Sequence, residues 1–320
     1  MEKTTSAQKP SGISSHLRIS VYALASVLAV FMVTASPAAT GDNIADAVLG
    51  QIDFSHNGIN NTGAASLDSP SQMAVDLSST REHLYVVDGS NNRILGWNDA
   101  NSFVNGQNAD LEIGQPDFRT TECNSGTAIA DVAGLGADSL CLPGGVAVDN
   151  NGNLYVADTS NNRVLEYNQP FAQALSAGFA ANVVFGQDGS FTQTICAQTA
   201  AGLCFPQGVA SDSSNNLYVA DSSNHRMLEF NQPLAAFNAI TGAGDTVADL
   251  VFGQGSSGTN FAGDACDLNS GSASDVGMCN PLSVAVDGAG NVYVGDDGDH
   301  RVIEFNQPLA ALDVQTGQAT

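Results

Sequence analysis

The chain has 320 residues and a formal net charge of -24 at pH 7, with only nine basic residues. That length suits one large or two ordinary domains. So acidic a body repels phosphate backbones and anionic lipid headgroups, which excludes nucleic acid and membrane surfaces as partners. Cations, cationic peptides and neutral glycans stay open, and acidity also keeps an exported protein soluble.

Residues 1–38 read as a signal peptide or N-terminal anchor. The basic residues Lys3, Lys9 and Arg18 lead into an apolar run, Ile19 to Val33, and then into small residues, Thr34 to Thr40. The run falls short of the roughly 20 residues of a membrane span. Cleavage after Ala35 or Ala38 is expected, with an uncleaved anchor as the alternative. Secretion, or a periplasmic or cell-surface location, follows. Beyond Arg18 there is no lysine, and the arginines are Arg81, Arg93, Arg119, Arg163, Arg226 and Arg301.

The remainder, 42–320, is one repeat domain with cores at 69–98, 142–170, 205–233 and 280–308. A shorter motif ending in Gly-Gln precedes each core, closing at Gln51, Gln115, Gln187 and Gln254. The strand-like runs of the second unit are Val146–Val148, Leu154–Ala157, Arg163–Tyr167 and Val183–Phe185. They are rich in Val, Leu, Tyr and Phe and are bounded by turn residues. Asp149 to Asn153 gives a hairpin signal. Four short antiparallel strands repeated radially make an all-β fold, the β-propeller.

The strings Pro-x-x-Val-Ala-Val-Asp, Leu-Tyr-Val-Ala-Asp and Asn-x-Arg-Val-Leu-Glu resemble the NHL repeat, as found in exported bacterial-type NHL-repeat proteins. The resemblance runs from about Ala45 to Pro308. It implies four-stranded blades, four of them visible, with each Gly-Gln strand outermost in its blade. Two architectures stay open. Asp46 to Gln51 could pair with the last strand near Phe305 and close a four-blade ring. Otherwise the chain is an open or truncated part of a six-bladed propeller, which is the expectation favoured here.

One Asp–Arg pair spans a tight turn in every unit: Asp88 with Arg93, Asp158 with Arg163, Asp221 with Arg226, and Asp296 with Arg301. A fork of donors facing a carboxylate, repeated in every blade, reads as a structural clasp rather than a ligand site. Asp299 stands where the other units have Asn91, Asn161 and Asn224, so the fourth clasp is expected to be looser. The six cysteines fall one pair per long loop. In an exported chain, repeat symmetry pairs Cys123 with Cys141, Cys196 with Cys204, and Cys266 with Cys279. Zinc would want short Cys-x-x-Cys spacing and nearby histidines, and neither is present.

No catalytic residue, metal ligand or cofactor is assigned. Asp149 to Asn153 and its equivalents Asp212 to Asn216 and Asp287 to Asn291 are turns, although calcium elsewhere on the acidic surface stays open. His56, His83, His225 and His300 belong to no recognisable catalytic motif. The loops at 51–70, 115–143, 187–206 and 254–281 share one face with the Asp–Arg turns, and variable loops on a rigid scaffold are where recognition sits. The expected function is therefore an extracellular binding or scaffolding propeller that recognises a protein or glycan by this face without catalysis. The alternative is a metal-dependent enzyme of lactonase or amidating-lyase type acting at the central channel.

Overall fold

Each repeat alternates two sets of side chains along short strands, and in the second and third strands of the two inner blades both sets are buried. A computed structural model describes residues 44–58, 62–125, 134–173, 179–235, 244–269 and 272–310. The chain divides into two units, Met1–Ile44 and Ala45–Thr320, and the strands among the described residues lie in the second. The expected export segment, 1–38, lies outside the described residues. None of the described helices is long and apolar enough to cross a membrane.

Blade 1 comprises β1 (Pro70–Asp76), β2 (His83–Asp88), β3 (Arg93–Trp97) and β4 (Leu111–Ile113). Blade 2 comprises β5 (Gly145–Val148), β6 (Leu154–Asp158), β7 (Arg163–Tyr167) and β8 (Val183–Phe185). Blade 3 comprises β9 (Pro206–Ser211), β10 (Leu217–Asp221), β11 (Arg226–Phe230) and β12 (Leu250–Phe252). Blade 4 has three strands among the described residues: β13 (Pro281–Val286), β14 (Val292–Asp296) and β15 (Arg301–Phe305). All pairings are antiparallel meanders, with the Gly-Gln strand outermost in blades 1 to 3. The first strands line the axis: β1 packs on β5, β5 on β9 and β9 on β13. Gly208 permits this approach, since a Cβ there would lie 2.7 Å from the Cα of Ser283.

The core is a series of slabs. Tyr85, Val87 and Ile94 of blade 1 meet Val146, Val156 and Leu165 of blade 2. Tyr155, Ala157 and Val164 of blade 2 meet Val209, Val219 and Leu228 of blade 3. Tyr218 and Met227 of blade 3 meet Val284, Val292 and Val294 of blade 4. Burying one face alone would leave a small sheet marginal, and stacking gives each inner blade two buried faces.

The series is open. The strand expected at Asp46 to Gln51 does not form, and β15 has no strand on its outer side among the described residues, so that segment and β15 do not pair. The physical reason is where the segment is held. Leu49 packs beside Leu67 on the outward face of blade 1. The Val48 amide donates to Asn105 Oδ1 at 3.0 Å, and the Val48 carbonyl accepts from the Gly106 amide. Both ends of the series keep apolar side chains in solvent: Met73 and Val75 are 64% and 46% exposed on blade 1, and Val302 is 71% exposed on blade 4.

Candidate binding face

The loop face is organised by the turn between the second and third strands of each blade. Gly89–Asn91, Thr159–Asn161, Ser222–Asn224 and Asp297–Asp299 each form one 3-10 turn. Each turn ends on a left-handed residue: Asn92, Asn162, His225 or His300, with φ between 53° and 56°. Asparagine tolerates this conformation because its short polar side chain bonds locally.

The Asp–Arg pairs close these turns. Arg93, Arg163 and Arg226 each place Nε 2.7 Å from the partner carboxylate, with both side chains wholly buried. The other carboxylate oxygen accepts a backbone amide, from Asp68, Cys141, Cys204 or Cys279. The remaining guanidinium donors hold loops on either side of the blade. Arg163 Nη1 donates to the Phe191 carbonyl, and its Nη2 donates to those of Gly136 and Ser139. Arg226 repeats this with Phe261, Thr199 and Gly202. Arg93 repeats it with Phe118, Gly63 and Ser66, and adds Glu112 at 3.0 Å. Burial lifts the Glu112 carboxyl to about 7 against the pull of Arg93. Sequence reading located the pairs but not this second duty, which depends on carbonyls far away in the chain. Arg301 is the departure: its side chain is 27% exposed, its Nη2 reaches Asp299 at 3.1 Å, and it also bonds the Gly277 carbonyl.

The six cysteines form Cys123–Cys141, Cys196–Cys204 and Cys266–Cys279. Each bridge fixes the residue two places before the proline that opens or precedes an axial strand. The residue between cysteine and proline was missed by sequence reading. Leu142, Phe205 and Asn280, with Ser69 in blade 1, all have positive φ, from 45° to 56°. Such a conformation is costly for leucine and phenylalanine and marks a position fixed by its surroundings. The Leu142 and Phe205 amides donate to Asn92 Oδ1 and Asn162 Oδ1 of the preceding blade, at 2.7 and 2.8 Å. The Asn280 amide bonds His225 Nδ1 at 3.0 Å. Leu142 and Phe205 are 52% and 46% exposed, so two large apolar side chains stand at the axial rim on immobilised backbone.

The other sequence candidates do not converge with this rim. In the hairpins, both oxygens of Asp149 are used by the turn itself, accepting from the amides of Asn151 and Asn153 and from Asn153 Nδ2; Asp212 and Asp287 do the same. His83 is buried against Asp76 and Phe171, at the opposite ends of the strands. His56 pairs with Asp53 outside the blades, and hydrogen bonds from Ser55 and then His56 hold that carboxylate down at about 2. Among the described residues the one cluster of potential metal ligands is Cys266, Asp267 and Cys279, whose two sulfurs are bonded to each other.

The repeat assigns the family. The NHL repeat family matches residues 140–167 and 203–230, the cores of blades 2 and 3. The chain is an NHL-repeat β-propeller. Curated proteins give no match to this NHL propeller. Solved structures resemble it in part. One is a protein of unknown function from Bacteroides thetaiotaomicron, with a TM-score of 0.40 at 14% identity, covering 74% of this chain and 47% of that one. Another is an auxiliary nutrient binding protein from Bacteroides ovatus, with 0.43 at 12% identity, covering 75% and 49%. A third is U3-55K, with 0.37 at 11% identity, covering 74% and 51%. The chain spans about half the length of each.

Proposed function

We propose that this NHL propeller is an exported binding or scaffolding module that grips an extracellular protein or glycan with its loop face. The carrying observation is the exposure of Leu142 and Phe205 on backbone fixed by disulfides, left-handed geometry and inter-blade hydrogen bonds. Apolar anchors held rigid in advance lose little entropy on binding, which is the property of an interaction hot spot. The polar groups of the repeat are spent internally: three clasp arginines are wholly buried and bonded. Three disulfides on one face suit an oxidising compartment, in keeping with export.

The test is a L142D/F205D double variant, probed on a glycan array and against surface-protein extracts beside the parent. Both side chains are half exposed, so the variant is expected to fold with an unchanged far-UV spectrum. Loss of the parent's hits supports the reading. Retention of every hit overturns it.

A further inference from the structure

Three residues at the junction of blades 1 and 2 depart from the repeat, and they fit one another. His83 stands where the other blades have Asn153, Asn216 and Asn291. Gly96 stands where they have Glu166, Glu229 and Glu304. Phe171, which packs back on blade 1, stands where the later blades have Leu234 and Leu309. A Cβ on Gly96 would lie 3.0 Å from Phe171 Cζ, so the phenyl ring fills the space a glutamate side chain would need. That ring in turn lies against His83, with centroids 4.5 Å apart.

His83 keeps the hairpin contact of the asparagines but leaves a nitrogen over. Asn153, Asn216 and Asn291 each spend Nδ2 on an aspartate four residues earlier, Asp149, Asp212 or Asp287. In the longer hairpin of blade 1, His83 Nδ1 meets Asp76 Oδ2 at 3.0 Å, from seven residues on. A carboxylate only accepts, so Nδ1 carries the hydrogen, and Nε2 of the neutral ring is an acceptor. His83 is 9% exposed, and its Nε2 has no partner among the described residues. Beside it the Tyr85 hydroxyl is buried without a partner, whereas the Tyr218 and Tyr293 hydroxyls reach the hairpin aspartates of their blades at 3.4 Å. A junction that leaves both groups unpaired is not arranged for stability alone.

His83 lines a cavity of about 180 Å³ together with Asp76, Ser78, Asn151, Gln169 and Phe171. With Nδ1 turned to Asp76, Nε2 is the polar atom that the imidazole has left for this space. Asp76 is the charged group of the set, and it is already met by His83 and by the Ser78 amide at 2.8 Å. Gln169 gives Nε2 to the Asn151 carbonyl at 2.8 Å, which leaves its Oε1 unpaired. The Ser78 hydroxyl and the Asn151 side-chain amide are likewise unpaired among the described residues.

Such a lining matches neither a cation nor an anion. Hydroxyl, amide and imidazole groups beside an aromatic ring suit a neutral ligand bearing several hydroxyls. The volume falls below the roughly 300–1,000 Å³ of sites for drug-sized ligands, so the occupant is small. We infer that this cavity binds a single neutral sugar ring, with His83 Nε2 accepting one hydroxyl and Phe171 packing on the apolar side of the ring. The site lies at the opposite ends of the strands from Leu142 and Phe205, so it is separate from the loop face.

Saturation-transfer NMR on the full chain, with the methyl glycosides of glucose, galactose and mannose, tests this. At least one should bind with a Kd on the order of 1 mM, the strength expected of about a dozen heavy atoms. H83N installs the repeat's own residue, which keeps a donor for Asp76 and removes Nε2. Affinity should fall about tenfold while the thermal midpoint holds. N151A removes an exposed side chain, so it keeps the fold and should weaken the same glycoside; it decides the matter should H83N fail to fold. A folded L142D/F205D should bind as the parent does. No binding of any of the three at about ten times that concentration, parental affinity in folded H83N or in N151A, or loss of binding in folded L142D/F205D would overturn the inference.

Discussion

Glu166 gives a prediction whose size can be worked out. It lies 1% exposed between blades 2 and 3, with neither carboxyl oxygen hydrogen-bonded. Burial, helped by the nearby Asp149 charge, pushes its pKa from 4.5 to about 8. A carboxyl raised in the folded state contributes stability that is complete below the unfolded value and is lost as pH rises through the folded one. The window is therefore pH 4.5 to about 8, with stability falling toward alkali. At about 1.4 kcal/mol per unit, burying this group costs about 3 kcal/mol at pH 7, where the folded chain must hold the proton, and about 5 kcal/mol at pH 9, where the carboxylate is buried charged. E166Q keeps the shape and removes the titration. Any fixed cost of the buried amide is the same at every pH, so the slope isolates the carboxyl. The thermal midpoint of E166Q minus that of the parent should rise by roughly 10 °C from pH 5 to pH 9. A difference that stays flat with pH would refute the reasoning.

Other expectations follow from the same geometry. Arg226→Ala leaves Asp221 buried without its cation and should cost about 3–5 kcal/mol in urea denaturation, enough to rank it among the most damaging single changes. Removing the short-loop bridge with C196S/C204S should cost about 2–3 kcal/mol while the fold persists, read as a lower denaturation midpoint. Gly114 has φ +97° and would press a Cβ against Leu140, whereas Gly189 has φ +77° with open space around it. G114A should therefore destabilise by about 2 kcal/mol more than G189A, a difference that isolates the clash from the backbone strain.

The blades, the Asp–Arg clasps and the disulfides were legible because the repeat supplies its own controls: a residue type that recurs at one position in every unit must serve every unit. The environment of Glu166 was not legible. In Arg-Val-Leu-Glu-Tyr the glutamate occupies an alternate position, which in a two-faced sheet reads as solvent-facing. In stacked blades both faces are covered, and alternation says only which neighbour a side chain meets. The same motif in blade 4 shows the difference, since Glu304 is exposed and bonds the Tyr293 hydroxyl on a face that no described blade covers. Ring closure failed for a related reason. The Asp46 to Gln51 motif matches the outermost strands in sequence but does not fix a pairing partner, and Leu49 has its burial partner on blade 1 without one.

The rim itself carries the last prediction. Each left-handed turn residue belongs to one blade but holds the lead-in residue of the next: Asn92 holds Leu142, and Asn162 holds Phe205. The apolar pair thus sits at the two junctions where a blade with an asparagine turn is followed by a disulfide-bearing loop. Asn162→Ala removes the acceptor that keeps the Phe205 amide in place at φ 49°. Losing that bond should cost about 1–2 kcal/mol of stability. Binding should suffer more than this, because Phe205 regains freedom that a partner must then remove. Comparing N162A with N162D separates the two effects, since aspartate restores an acceptor at the same place. If the rim positions the partner, N162D recovers affinity along with stability. If N162A binds as the parent does despite its lower midpoint, Phe205 does not contact the partner, and the recognition surface lies in the outer loops instead.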